Sequence, residues 1–137
     1  MNFTKYYKHH EMNIEVKTYD IDVAGHVNNL VYVRWLEDLR NELFAQIYPL
    51  EELIKLNYYP VIISNEMKYK SQIKLFDQPV GRISLESYSH GVITLKAEIL
   101  NKGKISFQAT QRCVLMHLQD HKMFKGSFDR LVSYKKK

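Results

Sequence analysis

The stretch that decides the fold is an acidic loop running directly into a helical pattern, and it reads YDIDVAGHVNNLVY over residues 19–32. Two carboxylates, a glycine, a histidine and two asparagines fall within ten consecutive residues of it. The first N–H groups of a helix have no partners inside the helix and form its positive end. The loop therefore places a carboxylate close to unpaired donors, a combination that can activate water and stabilise a developing oxyanion.

The residues after this loop predict one long, largely buried helix. Apolar side chains recur at steps of four and three, at Tyr32, Leu36, Leu39, Leu43 and Ile47. This spacing places them on one face of a helix over about residues 30–47, and further apolar residues such as Trp35 widen that face. Pro49 ends the helix, and residues 50–56 add a short helical turn.

On either side of the helix the pattern changes to the period of two that is typical of strands. Five such segments are expected, over about residues 12–18, 60–70, 83–90, 93–99 and 105–115. Turns are expected at residues 77–81 and 101–104, where Gly103 can adopt a positive φ. Strands joined by short turns are antiparallel, so the sequence predicts an α+β domain in which a five-stranded antiparallel sheet wraps the long central helix.

Alternation within the strands predicts which side chains share a face. The pairs and sets of equal parity are Ile14 and Val16 in the first strand, Val61, Ile63, Met67 and Tyr69 in the second, and Ile105, Phe107, Ala109, Cys113 and Leu115 in the last. The exposed edges of such a sheet need cover, and pairing with a second copy of the chain is one solution.

Length and composition predict a single domain over residues 1–137, with a core over about residues 12–124 and a basic C-terminal tail at residues 135–137. Hydrophobic residues make up 45% of the chain, enough for a core, but no apolar run approaches the twenty or so residues of a membrane span. Residues 1–8 contain no apolar segment typical of a secretory signal, and Cys113 has no partner for a disulfide. We therefore expect a cytoplasmic protein.

The formal net charge of +5 indicates either a solvated basic surface or attraction to an anionic partner. Such a partner would carry the phosphates of a nucleotide-like group or the acidic surface of a carrier protein. No aromatic-and-basic motif typical of an RNA-binding module is present, so nucleic acid is not the expected partner.

The loop and the helix together carry a long motif, Asp20-x-Asp22-x-x-Gly25-His26-Val27-Asn28-Asn29-x-x-Tyr32, followed by Glu37-x-x-Arg40. This pattern resembles the 4-hydroxybenzoyl-CoA thioesterase-like branch of the hot-dog fold superfamily, and the resemblance extends over about residues 12–124. It implies a hot-dog fold, assembly as a homodimer or homotetramer with active sites at the subunit interface, hydrolysis of acyl thioesters, and no cofactor.

The resemblance also implies roles for individual residues. Asp22 matches the carboxylate that acts as general base or nucleophile, and Asn29 matches the residue whose backbone N–H polarises the thioester carbonyl. His26 is a third catalytic candidate, as an acid or as a residue that orients the substrate. The expected substrate-binding residues are Gly25, Val27, Asn28 and Tyr32.

Other interpretations of the acidic residues remain open. Asp22 can form a turn or cap the helix, as aspartates in loops often do. Asp20 is expected to bind loop N–H groups, with the role of base as its alternative. Some relatives use a glutamate on the central helix, which keeps Glu37 and Asp38 in consideration.

The remaining polar residues predict structure rather than chemistry. Glu37 and Arg40 are spaced for an ion pair on one helix face. His117 and His121 follow a strand rather than occupying a helix, and Cys113 lies on the apolar parity of its strand, so no metal site is expected.

The sequence thus favours a thioester hydrolase acting on acyl-CoA, with Lys68, Lys70 and Lys74 as candidate contacts for the nucleotide end. An acyl carrier protein (ACP) thioester is the close alternative substrate. A non-catalytic acyl-binding hot-dog module is the alternative from another class, and a hydratase of the same fold ranks below both.

Overall fold

The computed structural model describes residues 9–127, which form one antiparallel sheet and two helices. The elements are β1 (His9–Asn13), a 3₁₀ turn (Thr18–Asp20), α1 (Asn29–Ile47), α2 (Leu50–Lys55), β2 (Tyr58–Tyr69), β3 (Val80–Ser89), β4 (Val92–Asn101) and β5 (Lys104–His117). The five strands lie in the order β1-β3-β4-β5-β2, and every neighbouring pair is antiparallel. The predicted α+β architecture, with one long helix against a five-stranded sheet, is therefore confirmed.

The long helix α1 begins one residue before its predicted start and ends at the predicted residue. Of its side chains at the apolar positions, Ile47 is partly exposed and the others are buried, with no exposed surface on Leu36, Leu39 and Leu43. They pack into one core cluster with the inward side chains of the sheet. Burying such side chains stabilises each by roughly 1.5–3 kcal/mol, so the sheet and the helix hold one another in place.

The first strand lies earlier in the chain than its alternation predicts. The ladder between β1 and β3 ends at the pair Asn13 and Val80, and the next N–H, that of Ile14, donates to the carbonyl of Pro79 at 2.9 Å. Pro79 has no N–H with which to continue the ladder. Ile14 and Val16 are buried as their parity predicts, but the assignment of residues 14–18 to a strand is wrong.

A β-bulge in β2 overturns the predicted parity of that strand. Ile62 and Ser64 lie opposite consecutive residues of β5, so Ile63 is an extra residue between them. Its side chain is 55% exposed, whereas Ile62 and Met67 pack against the core. The expectation that Ile63 shares a face with Met67 is therefore wrong.

Gly81, predicted to close a turn, is instead a buried residue of β3. A Cβ atom at this position would lie 3.0 Å from the Cδ1 atoms of Ile14 and Leu39, so any larger residue would have to displace these side chains by a few tenths of an ångström. The turn itself lies earlier, where the N–H of Asp77 donates to the carbonyl of Lys74 at 3.1 Å.

The hairpin between β4 and β5 forms where it was predicted. Its two central residues, Lys102 and Gly103, have φ angles of 54° and 78°, as a tight turn between antiparallel strands requires.

Within residues 9–127, neither helix has the length and apolar character needed to cross a lipid bilayer. The predicted basic tail at residues 135–137 lies outside the described residues.

Candidate functional site

The acidic loop is folded around Asp22. Oδ1 of its carboxylate accepts hydrogen bonds from the N–H groups of Ala24 at 2.9 Å and His26 at 3.1 Å. Its own N–H donates to the carbonyl of His26 at 2.8 Å, and Gly25 donates to its carbonyl at 3.0 Å. Gly25 has a φ of 80°, which lets the chain turn back toward Asp22. Within residues 9–127, Oδ2 of Asp22 accepts no hydrogen bond, so the exposed carboxylate keeps one oxygen available for chemistry.

Asp20, unlike Asp22, is buried, and it accepts hydrogen bonds from two main-chain N–H groups. Its Oδ2 accepts a hydrogen bond from the N–H of Lys17 at 2.9 Å, and its carbonyl accepts one from the N–H of Asn28 at the same distance. Only 4% of its surface is exposed. This geometry matches the structural role expected for Asp20, because its carboxylate closes the 3₁₀ turn that leads into the loop.

The connection between β2 and β3 holds the loop from the other side. The N–H of Val27 donates to the carbonyl of Ile73 at 2.8 Å, and the N–H of Leu75 donates to the carbonyl of Gly25 at 3.2 Å. Between these two bonds, His26 and Lys74 form a bridge. Three consecutive loop residues are thus fixed to a segment about fifty residues further along the chain.

The start of α1 leaves one N–H group without an acceptor. Asn28 is the N-cap, and its side-chain Oδ1 accepts from the N–H of Leu30 at 2.9 Å. The N–H of Val31 donates to the carbonyl of Asn28 at 2.9 Å. Among the described residues, no acceptor is found for the N–H of Asn29, which lies at the positive end of the helix dipole.

A cleft of about 560 Å³ brings most of the predicted site residues together. Its lining includes Asp22, His26, Val27, Asn28, Asn29 and Tyr32. Gly25 is absent from this lining, and a Cβ atom added to it would meet nothing within 4 Å. The loop and the helix start therefore form one wall of the cleft, and Gly25, a predicted substrate-binding residue, is not part of that wall.

The opposite wall comes from the end of β2 and the residues that follow it. This wall consists of Tyr69, Lys70, Ser71 and Gln72. Of these, Lys70 is one of the three lysines named as candidate contacts from the sequence; Lys68 lines a different cleft, and Lys74 is not part of this lining. No local motif marks this wall, because its residues join the site through strand pairing.

Aromatic rings pack around Tyr32, which lines the cleft together with Tyr69. The ring of Tyr32 stacks on Phe107 with centroids 4.7 Å apart and meets Trp35 and Tyr69 edge-on at 5.2 and 5.3 Å. Only 3% of Tyr32 is exposed, and burial raises the pKa of its hydroxyl above the ordinary value. Tyr32 is thus a core residue that also lines the cleft, and substrate binding by it stays a prediction.

The other acidic candidates on α1 lie away from this cleft. Asp38 borders a separate groove beside β1, where burial and the nearby Glu37 and Glu42 raise the pKa of its carboxyl. Arg40 donates from Nη1 to Oε1 of Gln111 at 3.1 Å, and no ion pair joins it to Glu37 among the described residues. The expected Glu37–Arg40 pair is therefore wrong, because Arg40 reaches the buried amide of β5 instead.

The residues considered as metal ligands occupy structural positions. Cys113 is fully buried, and burial raises the pKa of its thiol to about 12. Nδ1 of His117 accepts from the N–H groups of Gln119 and Asp120 at 3.3 and 3.4 Å, which closes the turn after β5. Across residues 9–127, no cluster of three or more His, Cys, Asp or Glu side chains is arranged to hold a metal ion.

Comparison with known proteins places this chain in a family. Residues 16–130 match the family model of the thioesterase-like superfamily. A comparison with curated proteins finds no match.

Solved structures share the fold over nearly the whole chain. DHNA-CoA thioesterase from Staphylococcus aureus superposes with a TM-score of 0.82 and 19% identity, covering 93% of this chain and 89% of its own. A hypothetical protein from Staphylococcus aureus in complex with CoA superposes with a TM-score of 0.82 and 14% identity. The match covers 93% of this chain and 84% of that protein. A thioesterase from Thermus thermophilus, complexed with coenzyme A and Zn, superposes with a TM-score of 0.74 and 19% identity. The match covers 91% of this chain and 92% of that protein.

These likenesses confirm the predicted hot-dog fold. The family match spans most of the chain and includes the acidic loop, α1 and all of β2 to β5. The protein belongs to the thioesterase-like superfamily.

Proposed function

We propose that this protein hydrolyses acyl-CoA thioesters in the cleft between the acidic loop and the end of β2. One observation carries the proposal: Asp22, which has one carboxylate oxygen without a hydrogen bond among the described residues, and Asn29, whose N–H has no acceptor there, line the same cleft. A base or nucleophile and an oxyanion donor are the two groups that thioester hydrolysis requires, because the thiolate leaves readily without a metal.

In the proposed reaction the thioester carbonyl accepts the hydrogen bond of Asn29 at the helix start. Asp22 either removes a proton from the attacking water or attacks the carbonyl itself, forming an anhydride that water then cleaves. In both routes the acyl–sulfur bond breaks and CoA leaves as the thiol. A positioned base contributes roughly 10²–10⁴-fold to the rate, and one oxyanion donor about 10²–10³-fold.

The other predicted site residues support this chemistry in different ways. His26 lines the cleft, and its backbone holds the carboxylate of Asp22 in place, so its imidazole can orient the substrate or protonate the leaving thiolate. Asn28 caps the helix and thereby leaves the N–H of Asn29 free. Val27 and Tyr32 supply apolar surface for the acyl group.

We infer a homodimer or homotetramer as the working form. β2 is an edge strand of twelve residues, and its bulge exposes Ile63 to solvent. A long edge strand presents unpaired backbone N–H and C=O groups, which can pair with another strand. Light scattering at micromolar concentration tests this inference, and a monomer would contradict a shared active site.

Support for CoA as the carrier comes from charge and from the similar structures. Two of those structures hold CoA, and Lys70 provides a cation in the cleft of this chain for a phosphate. An acidic carrier protein is the second candidate, because the net charge of +5 also suits such a partner. Kinetic comparison of one acyl group on both carriers distinguishes them.

The experiment is a screen of short, long and aromatic acyl-CoAs and ACP thioesters, with thiol release as the readout. Asp22→Asn is assayed beside Asp120→Asn, a matched control. Asp120 is also an exposed turn aspartate whose Oδ1 accepts a main-chain N–H two residues on, from Lys122 at 2.9 Å. We expect hydrolysis by the unaltered protein and by Asp120→Asn, and a loss of at least about a hundredfold in Asp22→Asn.

Two outcomes contradict the proposal. Full activity of Asp22→Asn on every hydrolysed thioester removes the aspartate from the mechanism. Tight binding of acyl-CoA without thiol release from any substrate favours the non-catalytic acyl-binding module.

A further inference from the structure

We propose that Tyr69 is a positioning residue that fixes the oxyanion donor of Asn29. The inference rests on the proposed function and adds a residue that the loop motif does not contain. Tyr69 acts through the helix start rather than on the substrate, and its hydroxyl is the group that matters.

The phenol hydroxyl of Tyr69 donates a hydrogen bond to the main-chain carbonyl of Asn29 at 3.2 Å. The carbonyl and the N–H of Asn29 belong to successive peptide groups joined at one Cα atom. Fixing the carbonyl therefore restrains rotation about that Cα atom, and with it the direction of the N–H. The other nearby acceptor is the thioether of Met67 at 3.9 Å, which is a weak one.

The helix start needs this restraint because its first turn has few internal bonds. Asn28 binds the N–H of Leu30 and accepts the N–H of Val31, so it fixes the peptides on either side of Asn29. Tyr69 adds a bond to the carbonyl of Asn29 that comes from outside the loop and the helix. A preorganised donor costs no reorganisation at the moment of reaction, and this is the source of its catalytic value.

The end of β2 is a rigid support for such a bond. The N–H groups of Lys70 and Ser71 both donate to the carbonyl of Ser106, at 2.8 and 3.1 Å. The hydroxyl of Ser71 donates to that of Ser106 at 2.9 Å. Ser106 is 1% exposed on β5, so the strand end cannot shift without disturbing the core.

The ring and the hydroxyl of Tyr69 have separable roles. The ring lies against Tyr32 at 5.3 Å and Phe107 at 5.1 Å, which fixes its direction, while 44% of the residue remains exposed in the cleft. A phenylalanine keeps these ring contacts and removes only the hydrogen bond. The substitution Tyr69→Phe therefore tests the positioning role without removing the wall of the cleft.

The test compares Tyr69→Phe with Tyr58→Phe. Tyr58 begins the same strand, and its ring meets His117 and Phe124 at 5.2 and 5.4 Å, far along β2 from the cleft. For a hydrolysed acyl-CoA we expect Tyr69→Phe to lower kcat roughly threefold to tenfold with KM within about twofold, the loss of one neutral hydrogen bond. Tyr58→Phe should leave both constants unchanged.

A second readout follows the donor itself. In ¹⁵N-labelled protein, Tyr69→Phe should shift the amide resonance of Asn29 and speed its hydrogen exchange, while the urea midpoint stays within error of the unaltered protein. Tyr58→Phe should not affect that resonance. If Tyr69 only packs, phenylalanine preserves that packing, and both the urea midpoint and the Asn29 amide should stay as they were.

Three results overturn the proposal: an unchanged kcat in Tyr69→Phe while Asp22→Asn is inactive, a raised KM with unchanged kcat, or an unperturbed Asn29 amide. The first two leave the proposed function standing. If Asp22→Asn retains full activity, the proposed function fails, and the Asn29 amide alone decides whether Tyr69 positions the helix start.

Discussion

Asp22 and His26 are joined by two hydrogen bonds that run in opposite directions. The carboxylate Oδ1 of Asp22 accepts the N–H of His26 at 3.1 Å, and the N–H of Asp22 donates to the carbonyl of His26 at 2.8 Å. The residue proposed to act on the thioester is therefore also the residue that closes the loop. Its two roles use different oxygens, so substitutions can separate them.

The comparison of Asp22→Asn with Asp22→Ala separates structure from chemistry. Asparagine keeps an oxygen that accepts the N–H groups of Ala24 and His26, whereas alanine removes the acceptor of both hydrogen bonds. We expect Asp22→Asn to unfold at nearly the same urea concentration as the unaltered protein. Asp22→Ala should lose about 1 kcal/mol in free energy of unfolding, and both variants should lose turnover. Equal stability of the two variants would contradict the structural role, and activity in either would contradict the chemical one.

Glycine is required at position 25 because its φ is positive, and not because a larger side chain would clash with the rest of the chain. Its φ is 80°, and an added Cβ meets nothing within 4 Å, so Gly25→Ala should cost about 1 kcal/mol through backbone strain alone. Gly103 has a φ of 78° and the same open surroundings far from the cleft. Gly103→Ala should therefore lose similar stability in urea.

The same pair tests whether Gly25 admits the substrate. If the loop must approach the acyl-CoA closely, Gly25→Ala raises KM while Gly103→Ala does not. Equal KM values in the two variants would limit Gly25 to a structural role.

The elements governed by local rules were predictable from the sequence. α1 follows from the spacing of its apolar residues, and the hairpin at Lys102 and Gly103 follows from turn chemistry. The acidic loop was predictable as a unit, because the residues that close it lie within four positions of Asp22.

Features set by pairing across the sheet were not predictable. Alternation continues through Ile63, and only the register between β2 and β5 identifies it as an extra residue. Gly81 reads as a turn residue until the close approach of Leu39 is known. Tyr69 lies forty positions from Asn29, and no local pattern links the end of a strand to the start of that helix.

Phe76 occupies a turn position that suits glycine. It is the third residue of the turn from Lys74 to Asp77, has a φ of 76°, and is 88% exposed. Relieving this strain with Phe76→Gly should raise the free energy of unfolding by about 0.5–1 kcal/mol, after the entropy that glycine adds to the unfolded chain.

Urea unfolding measures this gain, and Val23→Gly is its control, since Val23 is fully exposed and has a negative φ. The control should lose stability. A loss in Phe76→Gly as well would mean that contacts of the Phe76 ring outweigh the strain.

Cys113 should be unreactive in the native protein. Burial raises the pKa of its thiol to about 12, so roughly one thiol in ten thousand is ionised at pH 8. We expect no alkylation by iodoacetamide over an hour at pH 8, and one equivalent of label per chain in urea, measured by mass spectrometry. Labelling of the folded protein at the rate of a free thiol would show that β5 opens readily.

Asp77 should make the stability of the fold depend on acid pH. Its Oδ2 accepts the N–H of Lys74 and the side-chain N–H of Asn101, each at 2.9 Å, and Nζ of Lys102 lies 3.8 Å from Oδ1. The bond from Lys74 is the main cause that lowers the pKa of Asp77 below its ordinary value of 3.8. Because the folded pKa is the lower one, ionised Asp77 stabilises the fold above pH 3.8, and this contribution is lost as pH falls through the folded pKa.

Asp77→Asn should lose about 1 kcal/mol in free energy of unfolding, measured in urea at pH 7, and its deficit against the unaltered protein should shrink at pH 3. A deficit that stays constant between the two pH values would mean that the charge of Asp77 contributes nothing to the contact between this turn and the β4–β5 hairpin.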